Sequence, residues 1–298
     1  MSNINIIIEE RPSDIGNFLV GRLLPFRQKR MVGPFIFIDH MGPALLHDNE
    51  MLNIGPHPHI GLSTLTYLFE GAILHRDSLG SELEIEPGAV NWMTAGKGIV
   101  HSERSPERVR HVDTMMHGLQ IWVALPKHLE QMEPSFTHVE AKDLPEWVEN
   151  TVKFKLVAGE AFGRKSPVPV HSPLYLIELK STAKANVNPS GALYGESGIY
   201  ILEGSIENDG NTFGPKQLLV AKDSSLCNFT MGENTTIYIF GGEAFPEERH
   251  IYWNFVATSH ELIEDAKQRW RNKEFPPMHN ETGYIPLPED NPEFKPKQ

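Results

Sequence analysis

The sequence predicts an all-β protein of two similar domains, with a single α-helix near the C-terminal end. Its 298 residues favour two domains over one. Glycine and proline are frequent, with 24 and 23 copies, and they separate short segments in which apolar and polar residues alternate as in strands. A five-residue unit also repeats: residues 67–71 (YLFEG) return as residues 200–204 (YILEG), as a duplicated barrel would require.

The first half contains two pairs of residues whose side chains commonly bind metals, each pair with a spacing of two residues. His57 and His59 form one pair, and His101 and Glu103 form the other. Successive side chains of a strand point to opposite faces, so both members of a pair lie on one face. If the two strands pair or face each other, three imidazoles and one carboxylate converge, a set that suits a divalent transition metal.

The residues around these pairs favour strands. A single His-x-His pair is often a surface pair or a hydrogen-bonded core pair, so the neighbouring pattern matters. An alternating run at residues 62–69 follows the first pair and ends in a Glu-Gly turn. The second pair follows a strand-like segment, residues 90–94, and a glycine turn at residues 96–98 that lacks the rest of a phosphate-loop motif. Both pairs are therefore predicted to lie on strands.

Longer motifs extend this pattern over nearly the whole chain. The order of a His-x-His strand, a Glu-Gly turn, a Pro-Gly turn and a Gly-x-x-His strand resembles the two motifs of the cupin superfamily. Four segments are similar to the pirin family of two-domain cupins: residues 33–40 (GPFIFIDH), 92–103 (WMTAGKGIVHSE), 117–123 (HGLQIWV) and 252–256 (YWNFV). The resemblance implies a bicupin, in which two antiparallel β-barrels (double-stranded β-helices) carry a C-terminal helix packed outside.

The resemblance also implies a ligand set. Many cupins have a ligand Glu four or five residues after the second His, where this chain has Ser63 and Thr64. Pirins lack that Glu and take the carboxylate from the second motif. One divalent transition metal per chain is therefore expected, with four protein ligands: His57, His59, His101 and Glu103.

The repeat predicts that only the first domain keeps the metal. Aligning the second copy on the first places Ser190 and Ala192 opposite the first histidine pair, and the second motif near residues 229–231. We therefore predict a metal-binding cupin domain at residues 1–134. Residues 135–298 would form a cupin-like domain without metal ligands, followed by the C-terminal helix and a tail.

The predicted helix has clear signals at both ends. Residues 258–261 (TSHE) read as a capping box that begins at Thr258. Acidic residues lie early and basic residues late, as the helix dipole favours. One apolar face is formed by Leu262, Ile263, Ala266 and Trp270. We expect the helix to cover a barrel surface, and the proline-rich tail after Phe275 to lie extended on the outside.

Charge and composition limit the expected partners. The chain has 27 Lys and Arg against 39 Asp and Glu, and its formal net charge of −12 disfavours direct binding to nucleic acid or to an anionic membrane. The first residues lack the basic start and apolar run of a signal peptide, and no run approaches the roughly 18 apolar residues of a membrane span. Cys227 is the only cysteine, so no intrachain disulfide forms. A cytoplasmic protein is expected.

The metal would be open to small molecules. Four protein ligands on an octahedral metal leave two positions for water, O2 or substrate. The ligand types leave Mn, Ni, Cu, Zn and Fe open, and the resemblance implies Fe(II). Several apolar residues near the motifs could either wall a pocket for a flat aromatic ligand or belong to ordinary core: Phe35, Phe37, Met41, Leu52, Trp92, Met93 and Trp122.

Three functions follow from such a site. The resemblance to pirins with quercetinase activity implies a quercetin 2,3-dioxygenase: a flavonol binds through its 3-hydroxyl, and Glu103 leaves the metal to act as the catalytic base. The flavonolate then reacts with O2, and the heterocycle opens with loss of carbon monoxide. Alternatively, the chain is a metal- or redox-sensing regulatory protein that acts through protein partners. In the third reading, the metal only braces the barrel.

Overall fold

The computed structural model describes residues 4–15, 18–47, 51–221 and 228–291, so Cys227 lies outside the described residues. The first twelve strands are β1 (Ile4–Glu9), β2 (Arg11–Asp14), β3 (Leu19–Leu24), β4 (Phe35–Leu46), β5 (Asn53–His59), β6 (Leu62–Glu70), β7 (Ile73–Asp77), β8 (Glu82–Ile85), β9 (Val90–Thr94), β10 (Ile99–Arg104), β11 (Thr114–Ala124) and β12 (Ser135–Val139).

The remaining strands are β13 (Glu146–Glu149), β14 (Val152–Ala161), β15 (Arg164–Lys165), β16 (Leu174–Ser181), β17 (Ala185–Val187), β18 (Glu196–Glu203), β19 (Ile206–Asn208), β20 (Asn211–Phe213), β21 (Gln217–Ala221), β22 (Phe229–Met231), β23 (Thr235–Gly242), β24 (His250–Tyr252) and β25 (Phe255–Ala257). Helix α1 spans His260–Arg271. Short 3-10 helices lie at Glu107–Val109, Lys127–Leu129, Ala141–Asp143 and Pro288–Asp290. In the described ranges, no helix is both long enough and apolar enough to cross a membrane.

The two halves of the chain repeat one strand order. In the first half, the large sheet runs β12-β9-β6-β11-β4-β3-β2 and a smaller sheet runs β5-β10-β7-β8. In the second half, the corresponding orders are β1-β21-β18-β23-β16-β14-β13 and β17-β22-β19-β20. The repeated sequence unit lies at the ends of β6 and β18, which occupy the same place in the two large sheets. The repeat in the sequence is thus a repeat in the structure.

The halves exchange strands at their edges. The first strand, β1, pairs with β21 of the second half, with Ile8 opposite Leu218. Conversely, β12 follows the predicted boundary at residue 134 but pairs with β9 of the first half, with Thr137 opposite Trp92. Each half therefore completes its large sheet with a strand from the other side of the boundary, and the division at residue 134 stays a prediction.

The large sheets of the two halves pack against each other. Their shared core joins Phe35, Leu65 and Trp92 of the first half to buried aromatic residues of the second, among them Tyr238 and Phe240. Because this face of each sheet is buried between the halves, the site must lie on the opposite face of the first large sheet, toward β5 and β10. That side holds a separate cluster, which includes Val20, Met41, Leu68, Ile73 and Met116.

Helix α1 begins one residue later than the capping box predicts. The N-cap is Ser259, whose side chain accepts from the Leu262 N–H at 3.4 Å. Thr258 instead binds the buried carboxylate of Glu130, through its N–H at 2.9 Å and its hydroxyl at 2.7 Å. The assignment of Thr258 as the first residue of the cap was therefore wrong, because a distant carboxylate takes its hydrogen bonds.

The helix covers the first half, although it lies in the second half of the sequence. Its buried residues Ile263, Ala266 and Trp270 pack in one cluster with Ile60 and Val100. The following tail lies beside β5: the Ile285 N–H donates to the Pro56 carbonyl at 3.2 Å, and its own carbonyl accepts from Trp270 Nε1 at 2.9 Å. In its described part, up to residue 291, the tail has no strand or α-helix, and Leu287 within it is fully buried rather than on the outside.

Candidate metal centre

Two neighbouring strands bring three of the four predicted ligands, the histidines, together. Strands β5 and β10 are antiparallel, with His101 opposite His57 and Ile99 opposite His59. A register shift lies between His101 and Glu103. The strand positions read from the spacing of two residues are thus correct, and the three imidazoles lie on one face of the smaller sheet.

The three histidines form a compact, buried cluster. One ring nitrogen from each of His57, His59 and His101 lies within 4.8 Å of the other two. Their exposed fractions are 7%, 2% and 1%. This is the only cluster of its kind among the residues that the structure describes.

Hydrogen bonds fix the orientation of the first two rings. His57 Nδ1 donates to the Gly55 carbonyl at 2.9 Å, and His59 Nδ1 donates to the Asn254 carbonyl at 3.2 Å. Because a carbonyl oxygen only accepts, each Nδ1 carries the proton and each Nε2 keeps a free lone pair. His101 Nε2 is buried and has no hydrogen-bond partner. The donor set therefore fits a bound metal, which would use these Nε2 atoms.

A close backbone contact makes the His59 bond to Asn254 feasible. The hairpin of β24 and β25 docks on the end of β5, where the Val256 N–H donates to the Ile60 carbonyl at 3.2 Å. Gly61 follows with a φ of +67°, and a Cβ there would lie 1.9 Å from the Val256 carbonyl oxygen. Only glycine fits both the backbone conformation and the contact.

Burial keeps the imidazoles neutral. It lowers the pKa of His57 to about 4, and it lowers the pKa values of His59 and His101 well below the usual value. Neutral imidazole is the form that binds a metal, so protons do not compete for these nitrogens near pH 7.

Glu103 lies beside the histidine cluster. It is buried, lines the same cavity and accepts a long hydrogen bond of 3.5 Å from the Thr66 hydroxyl. Burial raises the pKa of its carboxyl group. The group of atoms within 4.8 Å contains the histidines alone, so the roles of Glu103 as fourth ligand and as base stay predictions.

A cavity of about 880 Å³ opens in front of the histidines. Phe37 and Trp122 stack in its wall, with ring centroids 4.0 Å apart, and the edge of His59 meets Trp122 at 5.2 Å. Of the seven apolar residues proposed from sequence, Phe37, Met41, Leu52 and Trp122 line the cavity. The other three lie in core clusters: Phe35, Trp92 and Met93. The volume is within the range of sites that bind drug-sized molecules.

Several parts of this site were not predicted from the sequence. Arg22 forms a bidentate pair with Asp39 in the cavity wall, with both N–O distances 2.8 Å, and its guanidinium lies 4.6 Å from the Phe37 ring centroid. The C-terminal tail contributes Ile285 and Pro286 to the rim. Neither feature has a local signal, because each depends on segments that are distant in sequence.

A third feature that was not predicted lies behind His101. His75 and Asp77 on β7 are both buried, and their side chains are 3.0 Å apart. Their spacing of two residues is the same signal that identified the ligand pairs. It could have been found in the sequence at residues 75–77 (HRD).

Comparisons with known proteins place this chain in a family. The family profile described as Pirin matches residues 17–123, and the one described as Pirin C-terminal cupin domain matches residues 176–276. The chain belongs to the pirin family. The family recognised from the motifs is thus confirmed.

Individual relatives match this chain along almost their full length. A pirin-like protein of Caulobacter vibrioides is 47% identical over 294 residues, which is 96% of this chain and 100% of the relative. A crystal structure of quercetin 2,3-dioxygenase from Acinetobacter baumannii has a TM-score of 0.86 and 34% identity, and covers 98% of this chain and 96% of its own. A second structure with that name from the same organism has a TM-score of 0.82 and 26% identity, over 91% and 97% of the two chains. The predicted bicupin fold is confirmed.

The second half of the chain has no comparable set of ligands among its described residues. The strand that corresponds to β5 is β17, which contributes Ala185 and Val187 to an apolar core. Ser190 and Ala192 lie in the turn region after β17 rather than on it. Their alignment with the histidines was wrong, because the fixed spacing of the repeat does not hold across connections of different length. The lack of metal ligands in the second domain stays a prediction.

Proposed function

We propose that this pirin-family protein is a dioxygenase that uses one divalent metal, Fe(II), to open quercetin-like flavonols with O2. The observation that carries the proposal is the position of three neutral imidazoles at the base of an aromatic-walled cavity. The solved relatives named quercetin 2,3-dioxygenase support the same activity. When bound, the metal would supply Lewis acidity at the flavonol oxygen and the redox chemistry needed for reaction with O2.

The histidines hold the metal in this proposal, and the wall of the cavity orients the substrate. His57, His59 and His101 would use their Nε2 atoms, as their Nδ1 contacts require for the first two. Phe37 and Trp122 stack on each other in the cavity wall and form an apolar surface next to His59. A flavonol stacked along that surface would present its 3-hydroxyl to the histidine end of the cavity and would displace water from it.

Glu103 is the proposed general base. Its carboxylate would accept the proton of the flavonol 3-hydroxyl, which leaves the flavonolate that reacts with O2. Burial raises the pKa of Glu103, and a base with a raised pKa holds a transferred proton more readily. O2 adds to the heterocycle, the ring opens to a phenolic ester, and one ring carbon leaves as carbon monoxide.

The proposal is tested by an aerobic assay of metal-loaded protein that measures loss of quercetin and release of carbon monoxide. The wild-type protein should exceed the same concentration of free metal ion in both measurements. Glu103→Gln should lower kcat by a factor of about 10²–10⁴ while metal content is retained, because the amide oxygen can still bind a metal but cannot accept the proton.

Glu178→Gln is the matched control. Glu178 is also a buried carboxylate, but it accepts from the Tyr238 hydroxyl at 2.6 Å in the core between the halves, away from the cavity. Its substitution should leave kcat close to the wild-type value. If wild-type protein with full metal content opens no flavonol, the dioxygenase proposal is wrong. If the wild type opens flavonols and Glu103→Gln also retains full kcat, only the proposed role of Glu103 is wrong.

A further inference from the structure

Strand β7 lies on the side of β10 that is opposite to β5. In this pairing, Asp77 is opposite His101 and His75 is opposite Glu103. The side chains of Ile73, His75 and Asp77 are buried, whereas the alternate positions are partly exposed. The face of β7 that carries His75 and Asp77 is therefore the face that carries the metal-site residues of β10.

Three of these side chains form a continuous chain of contacts. Asp77 Oδ2 lies 3.0 Å from His75 Nε2, and His75 Nδ1 lies 3.5 Å from His101 Nδ1. All three residues have 4% or less of their surface exposed. One face of the His75 ring is covered by Phe136, which stacks on it with ring centroids 4.4 Å apart and an interplanar angle of 8°.

The carboxylate of Asp77 is itself fixed in orientation. Its Oδ1 atom accepts from the Leu79 N–H at 2.9 Å and from the Ser81 N–H at 3.0 Å. Oδ2 is thereby left to face His75. Because a carboxylate oxygen accepts, His75 Nε2 must carry a proton, and with that single proton on the ring, His75 Nδ1 holds a lone pair.

This lone pair determines the tautomer of His101. In a hydrogen bond across this long contact of 3.5 Å, a lone pair on His75 Nδ1 accepts and His101 Nδ1 donates, which leaves His101 Nε2 without a proton. His101 Nε2 is the buried atom without a hydrogen-bond partner in the histidine cluster. The other two histidines reach the same tautomer through peptide carbonyls, which carry no full charge.

We propose that Asp77 and His75 are positioning residues that hold His101 in its metal-binding tautomer and make it the strongest donor of the three histidines. The inference rests on the metal site of the proposed function but not on the flavonol reaction. A carboxylate that hydrogen-bonds through a ligand imidazole raises the basicity of that ligand and orients it. Here the carboxylate acts through a second imidazole.

Asp77→Asn tests the tautomer argument directly. The amide oxygen must stay toward the Leu79 and Ser81 N–H groups, so the NH2 group replaces Oδ2 and faces His75. His75 then accepts at Nε2 and carries its proton on Nδ1. Two N–H groups would now face each other unless the His101 proton moves to Nε2, where it blocks the metal. An amide of the same shape as the carboxylate thus disfavours the His101 tautomer that can bind a metal. A carboxylate-to-amide change in a catalytic triad likewise puts the histidine in the wrong tautomer.

His75→Phe interrupts the contacts from Asp77 through His75 to His101 without placing a second N–H group opposite the His101 N–H. The phenyl ring keeps the stacking on Phe136 but cannot accept from His101. The matched control is His138→Phe, since His138 also lies on a strand and binds a neighbouring side chain, with 2.7 Å between its Nδ1 and Asn91 Oδ1. Asp113→Asn, at an exposed position, is the control for the amide substitution.

The experiment uses Co(II) as the probe, without oxygen, and measures affinity by chelator competition together with the visible spectrum of the bound ion. His75→Phe should weaken Co(II) binding about 10–100-fold and shift the visible bands, and Asp77→Asn should weaken it at least as much. The two controls should match the wild type. The melting temperatures of the metal-free proteins report separately on any structural damage.

The outcomes separate this inference from the proposed function. Wild-type affinity and an unchanged spectrum in both Asp77→Asn and His75→Phe would overturn the positioning role. A wild-type protein that binds no Co(II) would overturn it together with the metal centre. If the wild type binds Co(II), the two variants bind it more weakly and no form opens a flavonol, the positioning role stands and only the dioxygenase proposal falls.

Discussion

The two halves of this protein share one strand order but fill it differently. In the first half, the inward side chains of β5 and β10 include His57, His59 and His101, which face a cavity. In the second half, the corresponding strands β17 and β22 contribute Val187 and Phe229 to a packed core, along with neighbouring apolar residues. The same scaffold thus holds a candidate metal site in one copy and an ordinary core in the other.

This difference implies that a metal site contributes less to folding stability than an apolar core at the same place in the fold. Burying an apolar side chain of the size of Val or Phe stabilises a protein by roughly 1.5–3 kcal/mol. Burying an imidazole with a free nitrogen gives no such gain, because its lost hydration is not replaced until a metal binds. We therefore expect the second half to carry stability and the first half to carry metal binding, and four measurements test that division.

The largest expected effect is the complete loss of bound metal when two histidines of the first half are replaced. The wild-type chain should contain one transition metal, and the double variant His57→Ala/His101→Ala should contain none, because two of three clustered nitrogens are gone. Phe229→Ala in the second half should keep the metal. Elemental analysis of the three proteins gives the answer, and two metals per wild-type chain would contradict the division.

The second effect concerns the stability of the metal-free protein, which should depend more on the second half than on the first. Phe229→Ala should lower the free energy of unfolding of the metal-free protein by about 3–5 kcal/mol, as expected for a buried phenylalanine. His57→Ala in the same metal-free state should cost clearly less. Chemical denaturation of both variants measures the difference. Equal losses would mean that the histidine cluster contributes as much to stability as the core of the second half.

The third effect is a pH dependence that belongs to the first half. Burial lowers the pKa of His57 to about 4 in the folded chain, against a usual value of 6.5. Between these values the unfolded chain binds more protons, so the stability of the metal-free protein falls as pH drops from about 6.5 toward 4. Each such histidine contributes about 1.4 kcal/mol per pH unit at most.

His57→Gln removes one titrating group and supplies the comparison for this slope. The free energy of unfolding of the metal-free variant should change less steeply with pH than that of the wild type below pH 6.5, and the two curves should run parallel above it. Denaturant titrations at several pH values measure both slopes. Parallel curves over the whole range would show that His57 is as accessible to protons when folded as when unfolded.

The smallest expected effect is that of metal removal on the whole chain. A metal at 100 times its dissociation constant stabilises the folded state by about 2.7 kcal/mol, a few degrees in melting temperature for a chain of this size. Chelation should lower the melting temperature by that amount without loss of strand signal in circular dichroism at room temperature. Unfolding on chelation would show that the first half depends on its metal for its fold.

The sequence by itself determined the features that repeat over short distances. Strand periodicity placed His57 and His59 on one face, and the longer motifs identified the bicupin fold and the family. The apolar face of α1 was also readable, with Ile263, Ala266 and Trp270 all buried. These predictions succeeded because each depends on the conformation of one segment, and a regular segment has a fixed side-chain period.

Only the tertiary structure decided which segments meet. It assigned β1 and β12 to the opposite halves, gave Thr258 to Glu130 instead of the helix cap, and separated Phe37 in the cavity wall from Phe35 in the core. It also placed His75 behind His101. Such contacts join residues far apart in the chain, and their pairing is set by packing of the whole molecule, which local periodicity does not encode.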